Sequence, residues 1–325
     1  MLPLSWCWKV EEAGRVFYQQ AQRRPASRMK ISEVLDRTTD YFAQKGIPSP
    51  RLDAQVIIGH ALHKSRLQLY LDFEYPLDEA ELARARELVR RRAAREPVAY
   101  IVGKKEFAGR DFRVMPGVLI PRPDTEVLVE EVRRELYGDE AAATATEEPA
   151  RLRLLEFGIG SGAIAVTLAA EVPNLFVTAT EINPAAAATA AENASAHGVA
   201  DRVEIREQPD FEGIVGPFDA VVSNPPYIDR SEQDSLEPEV ALHEPQEALF
   251  AADGGLQWYR FLTAESRRLL KPGGLLAVEI GYRQRAAVEQ IFREAGFVDT
   301  RSVKDYAEND RVVLGRAPAD WALWG

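Results

Sequence analysis

The sequence contains almost no cysteine and little histidine. Among its 325 residues there is one cysteine, Cys7, which excludes a disulfide framework, a thiolate metal cluster and a Cys/His catalytic dyad. None of the four histidines stands at a metal-ligand spacing or beside a nucleophile, so we predict no metal site; they are His60, His63, His197 and His243. A reducing compartment suits this composition, and we expect a cytoplasmic protein.

Long apolar runs are also lacking. No stretch approaches the ~20 apolar residues that a membrane-spanning helix needs, and the first residues contain no small-residue cleavage site of the kind that ends a secretory signal. We therefore expect no membrane association, and we interpret residues 1–28 as an extension of unknown role. A chain of 325 residues is long enough for two domains.

Positive charge is scarce in the C-terminal part of the chain. The formal net charge is −11; residues 1–110 carry 20 Lys/Arg against 14 Asp/Glu, whereas residues 111–325 carry 20 against 37. Proteins that bind duplexes depend on basic contacts to phosphate groups, so we expect no stable nucleic acid binding by the acidic part. The basic first third remains available to RNA or to an acidic protein.

Residues 29–96 have the periodicity of helices. Apolar side chains recur at helical spacing in "ISEVLDRTTDYFAQKG" and in two further segments, which predicts a small helical domain. β-type residues around Gly103 then predict a hairpin linker over residues 97–120. A second, larger domain over residues 121–317 and a tail over residues 318–325 complete the predicted organisation.

Strand-like and helix-like segments follow one another in the C-terminal part. They come after "YGDEAAATATEEPA", which has low complexity and is interpreted as a surface loop. The strand-like segments are "RLRLLEF", "LFVTATEI", "RVEIRE", "FDAVVS" and "GLLAVEI". Apolar strands interleaved with amphipathic helices predict an α/β fold with a parallel, doubly wound sheet. Such sheets bind ligands beyond the carboxyl ends of their strands.

The first of these strands ends in a glycine-rich turn, "EFGIGSGAIA". Gly158, Gly160 and Gly162 let the backbone turn tightly and approach a ligand, and the following helix offers unpaired N–H groups at its amino end. Such a turn alone is weak evidence. The second strand, however, ends in Glu181, where an acidic residue accepts hydrogen bonds from a ribose. Together they predict a nucleotide-type cofactor site.

The strand "FDAVVS" runs directly into "NPPYIDR". Prolines cannot donate to a sheet and fix φ near −65°, so strand pairing must stop at Pro225 and Pro226. The result is a rigid corner that carries Asn224 and Tyr227 at the carboxyl end of a strand. A simple turn with a packed tyrosine is the alternative, but the glycine turn and Glu181 favour a functional site.

These motifs together resemble a known family. "GIGSG", Glu181 and "NPPY" resemble class I S-adenosylmethionine-dependent methyltransferases that act on a planar amino or amide nitrogen. More narrowly, "REPVAYIVGKKEF", "LIPRPDTE" and "SNPPYI" behind a helical domain resemble the peptide chain release factor N5-glutamine methyltransferases, from about residue 30 to "ENDRVVLGR". The resemblance implies a Rossmann-like sheet, S-adenosylmethionine as cofactor and release factors as protein substrates. Where this family usually carries Asp, the chain has Glu156 and Glu181.

The resemblance also implies roles for single residues. The Asn224 side-chain oxygen and the Pro225 carbonyl are expected to accept the two N–H bonds of a glutamine amide, with Pro226 adding rigidity and Tyr227 lying against the flat amide. Asp210 is expected to accept a hydrogen bond from the adenine amino group, and Phe211 to flank the adenine ring, although an ordinary core phenylalanine is the alternative. The implied cofactor site comprises Gly158, Ile159, Gly160, Ser161, Gly162, Glu181, Asp210, Phe211 and Asn224.

Other functions remain open. A ribosomal-protein glutamine methyltransferase shares all the chemistry. "NPPY" also occurs in adenine-N6 methyltransferases of DNA and RNA, which the acidic catalytic part disfavours. A non-catalytic nucleotide-binding scaffold is disfavoured by the intact "NPPY". Within "LIPRPDTE", Arg122 and Glu126 are candidates for the wall of the site or for simple capping and pairing.

Overall fold

The computed structural model describes residues 29–137 and 150–321. The predicted extension over residues 1–28, nearly all of the predicted loop over residues 138–150 and the last four residues of the predicted tail lie outside the described residues.

The N-terminal residues fold into a small helical domain. Its helices begin at residues that suit helix starts: Asp78 accepts a hydrogen bond from the Glu81 N–H at 2.8 Å, and the Glu81 carboxylate accepts one from the Asp78 N–H at 2.8 Å. Pro50 occupies the first turn of the second helix, where a missing N–H costs nothing. The four helices, which pack around a shared apolar core, are α1 (Ile31–Gln44), α2 (Pro50–Leu62), α3 (Arg66–Leu71) and α4 (Glu79–Ala93).

A hairpin follows the helical domain. The short helix α5 (Val98–Val102) ends at Gly103, whose φ of +80° suits glycine, and the strands β1 (Lys104–Phe107) and β2 (Arg110–Arg113) come next. Phe107 and Phe112 are buried in the core of the following domain, with ring centroids 5.9 Å apart. By its packing, the hairpin therefore belongs to the C-terminal domain.

The large C-terminal domain is built on a seven-stranded sheet with the strand order β10-β11-β9-β6-β3-β4-β5. Its strands are β3 (Leu152–Phe157), β4 (Leu175–Glu181), β5 (Val203–Glu207), β6 (Phe218–Ser223), β9 (Leu270–Glu279), β10 (Val298–Lys304) and β11 (Asp310–Arg316). Two very short strands, β7 (Ile228–Asp229) and β8 (Phe250–Ala251), pair with each other outside this sheet.

Helices lie between these strands. They are α6 (Glu126–Tyr137), α7 (Ala163–Glu171), α8 (Pro184–Ala196), α9 (Pro238–His243), α10 (Gln257–Leu269) and α11 (Arg285–Glu294). The expected α/β fold with a helical N-terminal domain and a hairpin is confirmed.

The five strands predicted from the sequence are parallel, as expected, but the sheet has two further strands at one edge that were not predicted. Strands β3, β4, β5, β6 and β9 are parallel, but β11 runs antiparallel to both β9 and β10. The cause is the connection between β10 and β11, which is a short turn rather than a crossover helix, and a short turn joins antiparallel strands only.

The topology places a crevice beside β3. The chain runs from β3 outward through β4 to β5, then returns to the other side of β3 with β6. Ligands bind at such a reversal, outside the carboxyl ends of the strands. The loops after β3 and β6 therefore flank the expected binding position.

The hairpin is bonded to this part of the sheet through Asn193 of α8. Its side-chain oxygen accepts the Arg113 N–H at 2.8 Å, and its amide nitrogen donates to the Arg113 carbonyl at 3.0 Å and to the Ser161 carbonyl at 2.8 Å. Asn193 is buried, so water does not compete for these bonds.

Candidate active site

The glycine turn after β3 requires its glycines. Gly158, Gly160 and Gly162 have φ values of +71°, +55° and +85°, a region that other residues adopt only with strain. A Cβ atom at Gly162 would approach Val166 Cγ2 to 3.1 Å, whereas a Cβ at Gly158 or Gly160 would meet nothing within 4 Å. The backbone at the first two glycines thus borders open space, where a ligand can lie close to it.

Glu181 joins this turn to the end of β4. Its carboxylate accepts the Gly160 N–H at 2.8 Å and the Asn183 N–H at 2.9 Å, and the side chain is buried. A carboxylate fixed at both oxygens keeps further lone pairs for a ligand donor. Glu181 therefore holds the glycine turn in place and also lines the cavity beside it.

A cavity of about 820 Å³, including its open mouth, lies at the switch point. Of the residues that the sequence predicts for a site, Gly158, Gly160, Glu181, Asn224 and Pro226 line this cavity. Ile159 and Ser161 line a smaller cavity that shares part of the same wall.

Asp210 and Phe211 are not among the residues that line either cavity. Phe211 is fully buried in the core, with its ring centroid 5.7 Å from that of Phe157, and the Asp210 carboxylate accepts the Glu212 N–H at 2.9 Å. In this structure Phe211 is therefore a core phenylalanine, which was the alternative interpretation of this residue.

Three residues that the sequence analysis did not single out form the corresponding wall. Gln208 and Pro209 line the cavity after β5, and Trp258 of α10 supplies an aromatic ring. Trp258 packs against Phe157 with ring centroids 4.9 Å apart. Because Trp258 comes from a distant helix, no local spacing in the sequence points to it.

Asn224 stands directly after β6 with its amide oriented by a hydrogen bond. The side-chain nitrogen donates to Thr125 Oγ1 at 3.1 Å. Its side-chain oxygen accepts no hydrogen bond from the residues that the structure describes. The nitrogen end is thereby engaged and the oxygen end is left as an acceptor, and Asn224 is one of the residues that line the cavity.

A buried carboxylate lies behind Asn224. Glu279, at the end of β9 and 1% exposed, accepts the Thr125 hydroxyl at 2.5 Å and the Tyr227 hydroxyl at 3.3 Å. Burial raises the pKa of Glu279 to about 7, while the two hydrogen bonds and the positive charge of Arg311 act in the opposite direction. Burial and the neighbouring Glu279 likewise raise the pKa of the Tyr227 hydroxyl.

Neither Thr125 nor Glu279 was singled out by the sequence analysis. Thr125 lies within "LIPRPDTE", but only the charged neighbours of that stretch suggested a role. Arg122 forms an ion pair with the buried Glu244 at 2.6 Å, and Glu126 accepts the Ala108 N–H of the hairpin turn at 3.0 Å. Both residues therefore make capping or pairing contacts, and Arg122 also lines the smaller cavity.

A second buried carboxylate adjoins the glycine turn. Glu156 of β3 is 1% exposed, and burial raises the pKa of its carboxyl well above the ordinary value. One of its oxygens has no hydrogen-bond partner among the described residues. The side chain lines the smaller cavity together with Asn224 and Thr125.

Comparisons with known proteins bear on both domains. The family profile of the PrmC N-terminal domain matches residues 33–103, and that of the methyltransferase small domain matches residues 138–257. The release factor glutamine methyltransferase of Geobacter sulfurreducens is 43% identical over 287 residues, which cover 88% of this chain and 96% of the relative. The chain belongs to the release factor glutamine methyltransferase family.

A further member of this family matches over its full length. The release factor glutamine methyltransferase of Cereibacter sphaeroides is 38% identical over 291 residues, 90% of this chain and 100% of the relative. Among solved structures, the hMettl16 catalytic domain in complex with the MAT2A 3′UTR hairpin 6 has a TM-score of 0.51 at 15% identity, over 74% of this chain and 82% of that one, which shows the shared fold alone. The family and the class I methyltransferase fold expected from the sequence are confirmed.

Proposed function

We propose that the protein transfers a methyl group from S-adenosylmethionine to the side-chain amide nitrogen (N5) of a glutamine in peptide chain release factors. The observation that carries the proposal is the orientation of Asn224. Its nitrogen is held by Thr125, so its oxygen is the atom presented at the wall of the cavity that the glycine turn and Glu181 border. The family membership of the chain supports the same activity.

The cofactor site is suited to S-adenosylmethionine, which supplies an electrophilic methyl group when bound. The open space at Gly158 and Gly160 fits a ligand that lies against the backbone, and Glu181 offers acceptors for ribose hydroxyls. Trp258 offers an aromatic face for a purine, with Gln208 beside the same cavity. Ile159 and Ser161 continue the wall in the smaller cavity.

A glutamine amide is a poor nucleophile because its nitrogen lone pair is delocalised into the carbonyl group. The enzyme must therefore act mainly by positioning the amide. Asn224 Oδ1 and the Pro225 carbonyl accept the two N–H bonds of the amide and stabilise the positive charge that develops on its nitrogen. Pro225 is buried and Tyr227 is held through its hydroxyl by Glu279, so the corner that presents these acceptors is rigid.

The protein substrate has a surface available beside the site. A large groove is lined by residues of the helical domain and of the catalytic domain, among them Arg66, Lys105 and Arg122. The two walls are bonded together by Arg92 of α4, which is buried and forms ion pairs with Asp53 of α2 at 2.8 Å and with Glu239 of α9 at 2.9 Å. The groove therefore has a fixed width, which suits a folded protein that presents one loop.

Further properties belong to the same proposal. Across residues 29–137 and 150–321, no helix is both long and apolar enough to cross a membrane. Release factors act during translation, so we propose a cytoplasmic location. We also propose that the protein forms no stable complex with nucleic acid, in keeping with the acidic catalytic part.

One assay tests the proposal. Purified protein is incubated with labelled S-adenosylmethionine and, separately, with release factor, ribosomal proteins, DNA or RNA, and the product is mapped by mass spectrometry. We expect label on a single glutamine of the release factor and none on a release factor in which that glutamine is replaced by asparagine. Label confined to ribosomal protein or nucleic acid would reject release factors as the substrate.

A further inference from the structure

A chain of hydrogen bonds links Asn224, Thr125 and Glu279. Its direction is set at the Glu279 end. We propose that Glu279, acting through Thr125, is a positioning residue that determines which end of the Asn224 amide faces the substrate. The inference rests on the proposed function, since it gives Asn224 Oδ1 the task of accepting a substrate N–H. It adds two residues that act through Asn224 and do not touch the substrate themselves.

The argument begins with the single proton of the Thr125 hydroxyl. A hydroxyl donates one hydrogen bond and accepts others. The Thr125 Oγ1 to Glu279 Oε2 distance is 2.5 Å, which is typical of a hydroxyl that donates to a carboxylate. Its proton being used, Thr125 can only accept from Asn224. The amide must then turn its nitrogen to Thr125, at 3.1 Å, and its oxygen away.

Burial makes this constraint strict. Thr125 is 4% exposed and Glu279 is 1% exposed, so no bulk water can substitute for either bond. The three residues come from separate elements, the turn over Pro123–Thr125, the end of β6 and the end of β9. Their contacts therefore depend on the folded core and give one defined amide orientation.

Protonation of Glu279 would reverse the direction of these hydrogen bonds. A neutral carboxyl can donate to Thr125 Oγ1, which frees the hydroxyl proton for donation to Asn224. The amide would then turn its oxygen to Thr125 and present its NH₂ to the substrate, where two donors would face each other. The pKa of Glu279, raised by burial to about 7, places this change near neutral pH.

Four ionisable or charged groups face Glu279 from the surrounding elements. The Tyr227 hydroxyl donates to its carboxylate, and the Tyr259 hydroxyl donates to its backbone carbonyl at 3.1 Å. The positive charge of Arg311 favours the ionised carboxylate, and the negative charge of Asp124 disfavours it. Arg311 itself forms an ion pair with Asp124 at 3.1 Å, so these two effects are partly balanced.

The kinetic test uses the full-length protein with release factor as substrate. Thr125→Val keeps the shape of the side chain and removes the hydroxyl, and Thr125→Ser is the matched control that keeps the hydroxyl. We expect kcat of Thr125→Val to fall by about 10- to 100-fold, less than for loss of the Asn224 acceptor itself. We expect Thr125→Ser to stay near wild type and the affinity for S-adenosylhomocysteine to be the same in both variants.

The pH dependence provides a second readout that a packing defect would not change. We expect kcat of the wild type to rise with pH through a midpoint near 7, since the ionised Glu279 holds Asn224 in its accepting orientation. In Glu279→Gln, kcat should no longer rise with pH through this midpoint. Any one of three results would overturn the inference. Thr125→Val could be as fast as wild type, kcat could fall equally in Thr125→Val and Thr125→Ser, or kcat of Glu279→Gln could still rise with pH as in the wild type.

A measurement without turnover separates this inference from the proposed function. The side-chain amide signals of Asn224 in a ¹⁵N spectrum can be assigned by their absence in Asn224→Asp. We expect them to shift between pH 6 and 8 in the wild type and to be insensitive to pH in Thr125→Val. Signals unaffected by Thr125→Val would refute the hydrogen-bond chain, whereas a wild-type protein with the expected signals and no activity on release factor would refute the proposed function alone.

Discussion

The substitution Glu279→Gln should change how the stability of the protein depends on pH. Burial raises the pKa of Glu279 from 4.5 to about 7 in the folded state. Between these two values the folded chain binds more protons than the unfolded chain, so the free energy of unfolding falls as pH rises. The cost of the buried charge is absent below the unfolded pKa and is complete above the folded one.

The magnitude follows from the size of the shift. Each pKa unit corresponds to about 1.4 kcal/mol, and most of the shift takes effect between pH 5 and 8, so the wild type should lose roughly 2 to 3 kcal/mol of unfolding free energy over this range through this group alone. Glutamine does not ionise, and every other carboxylate is common to both proteins. The difference in stability between Glu279→Gln and wild type should therefore move in favour of the variant by this amount.

The assay is urea unfolding of the cofactor-free proteins at pH 5, 6, 7 and 8, followed by circular dichroism. Glu232→Gln, an exposed carboxylate with no ion pair among the described residues, controls for the substitution itself. The reasoning would be refuted if the difference in unfolding free energy between Glu279→Gln and wild type stayed constant over this pH range. It would also be refuted if that difference moved in favour of the wild type.

Three further predictions concern the cofactor, the acceptor and the helical domain. Asn224→Ala should fold normally and lose about 10²- to 10³-fold in kcat on release factor, and near-normal turnover would contradict the role of Asn224. Glu181→Ala should weaken S-adenosylmethionine binding by about 10- to 100-fold in calorimetry, because hydrogen bonds to a carboxylate are lost; unchanged affinity would place the ribose elsewhere. A chain that starts at Pro97 keeps the hairpin and should still bind S-adenosylmethionine but methylate intact release factor far more slowly than the full chain. Its folding is checked by circular dichroism, and equal rates would show that the helical domain does not dock the substrate.

The sequence predicted those parts of the candidate site that follow directly from strand ends. Glu181 is the last residue of one recognisable strand and Asn224 directly follows another, and the carboxyl ends of parallel strands meet at one edge of a sheet. The glycine turn carries its own local signal. Each of these features depends on residues that are close together in the chain.

Thr125 and Glu279 could not be found in this way. They are 154 positions apart, and neither residue type at its own position differs from an ordinary helix start or strand end. The aromatic wall shows the same limit, because the fold brings in Trp258 from α10 while it turns Phe211 into the core. The antiparallel edge of the sheet was missed because no strand was predicted for β10 or β11, which both follow the last strand-like segment identified in the sequence.

The Asn193 side chain acts on the hairpin as a neighbouring strand would. It satisfies both backbone groups of Arg113 and in addition holds the Ser161 carbonyl of the glycine turn. An aspartate at this position would lack the two donated bonds, and a glutamine would carry the amide one methylene farther out. In a chimeric enzyme with an exchanged helical domain, the hairpin should therefore remain with the sheet whose asparagine it pairs with. The junction of such a chimera should lie just before β1 rather than after Arg113, because Ile101 of α5 is buried in the core of the helical domain.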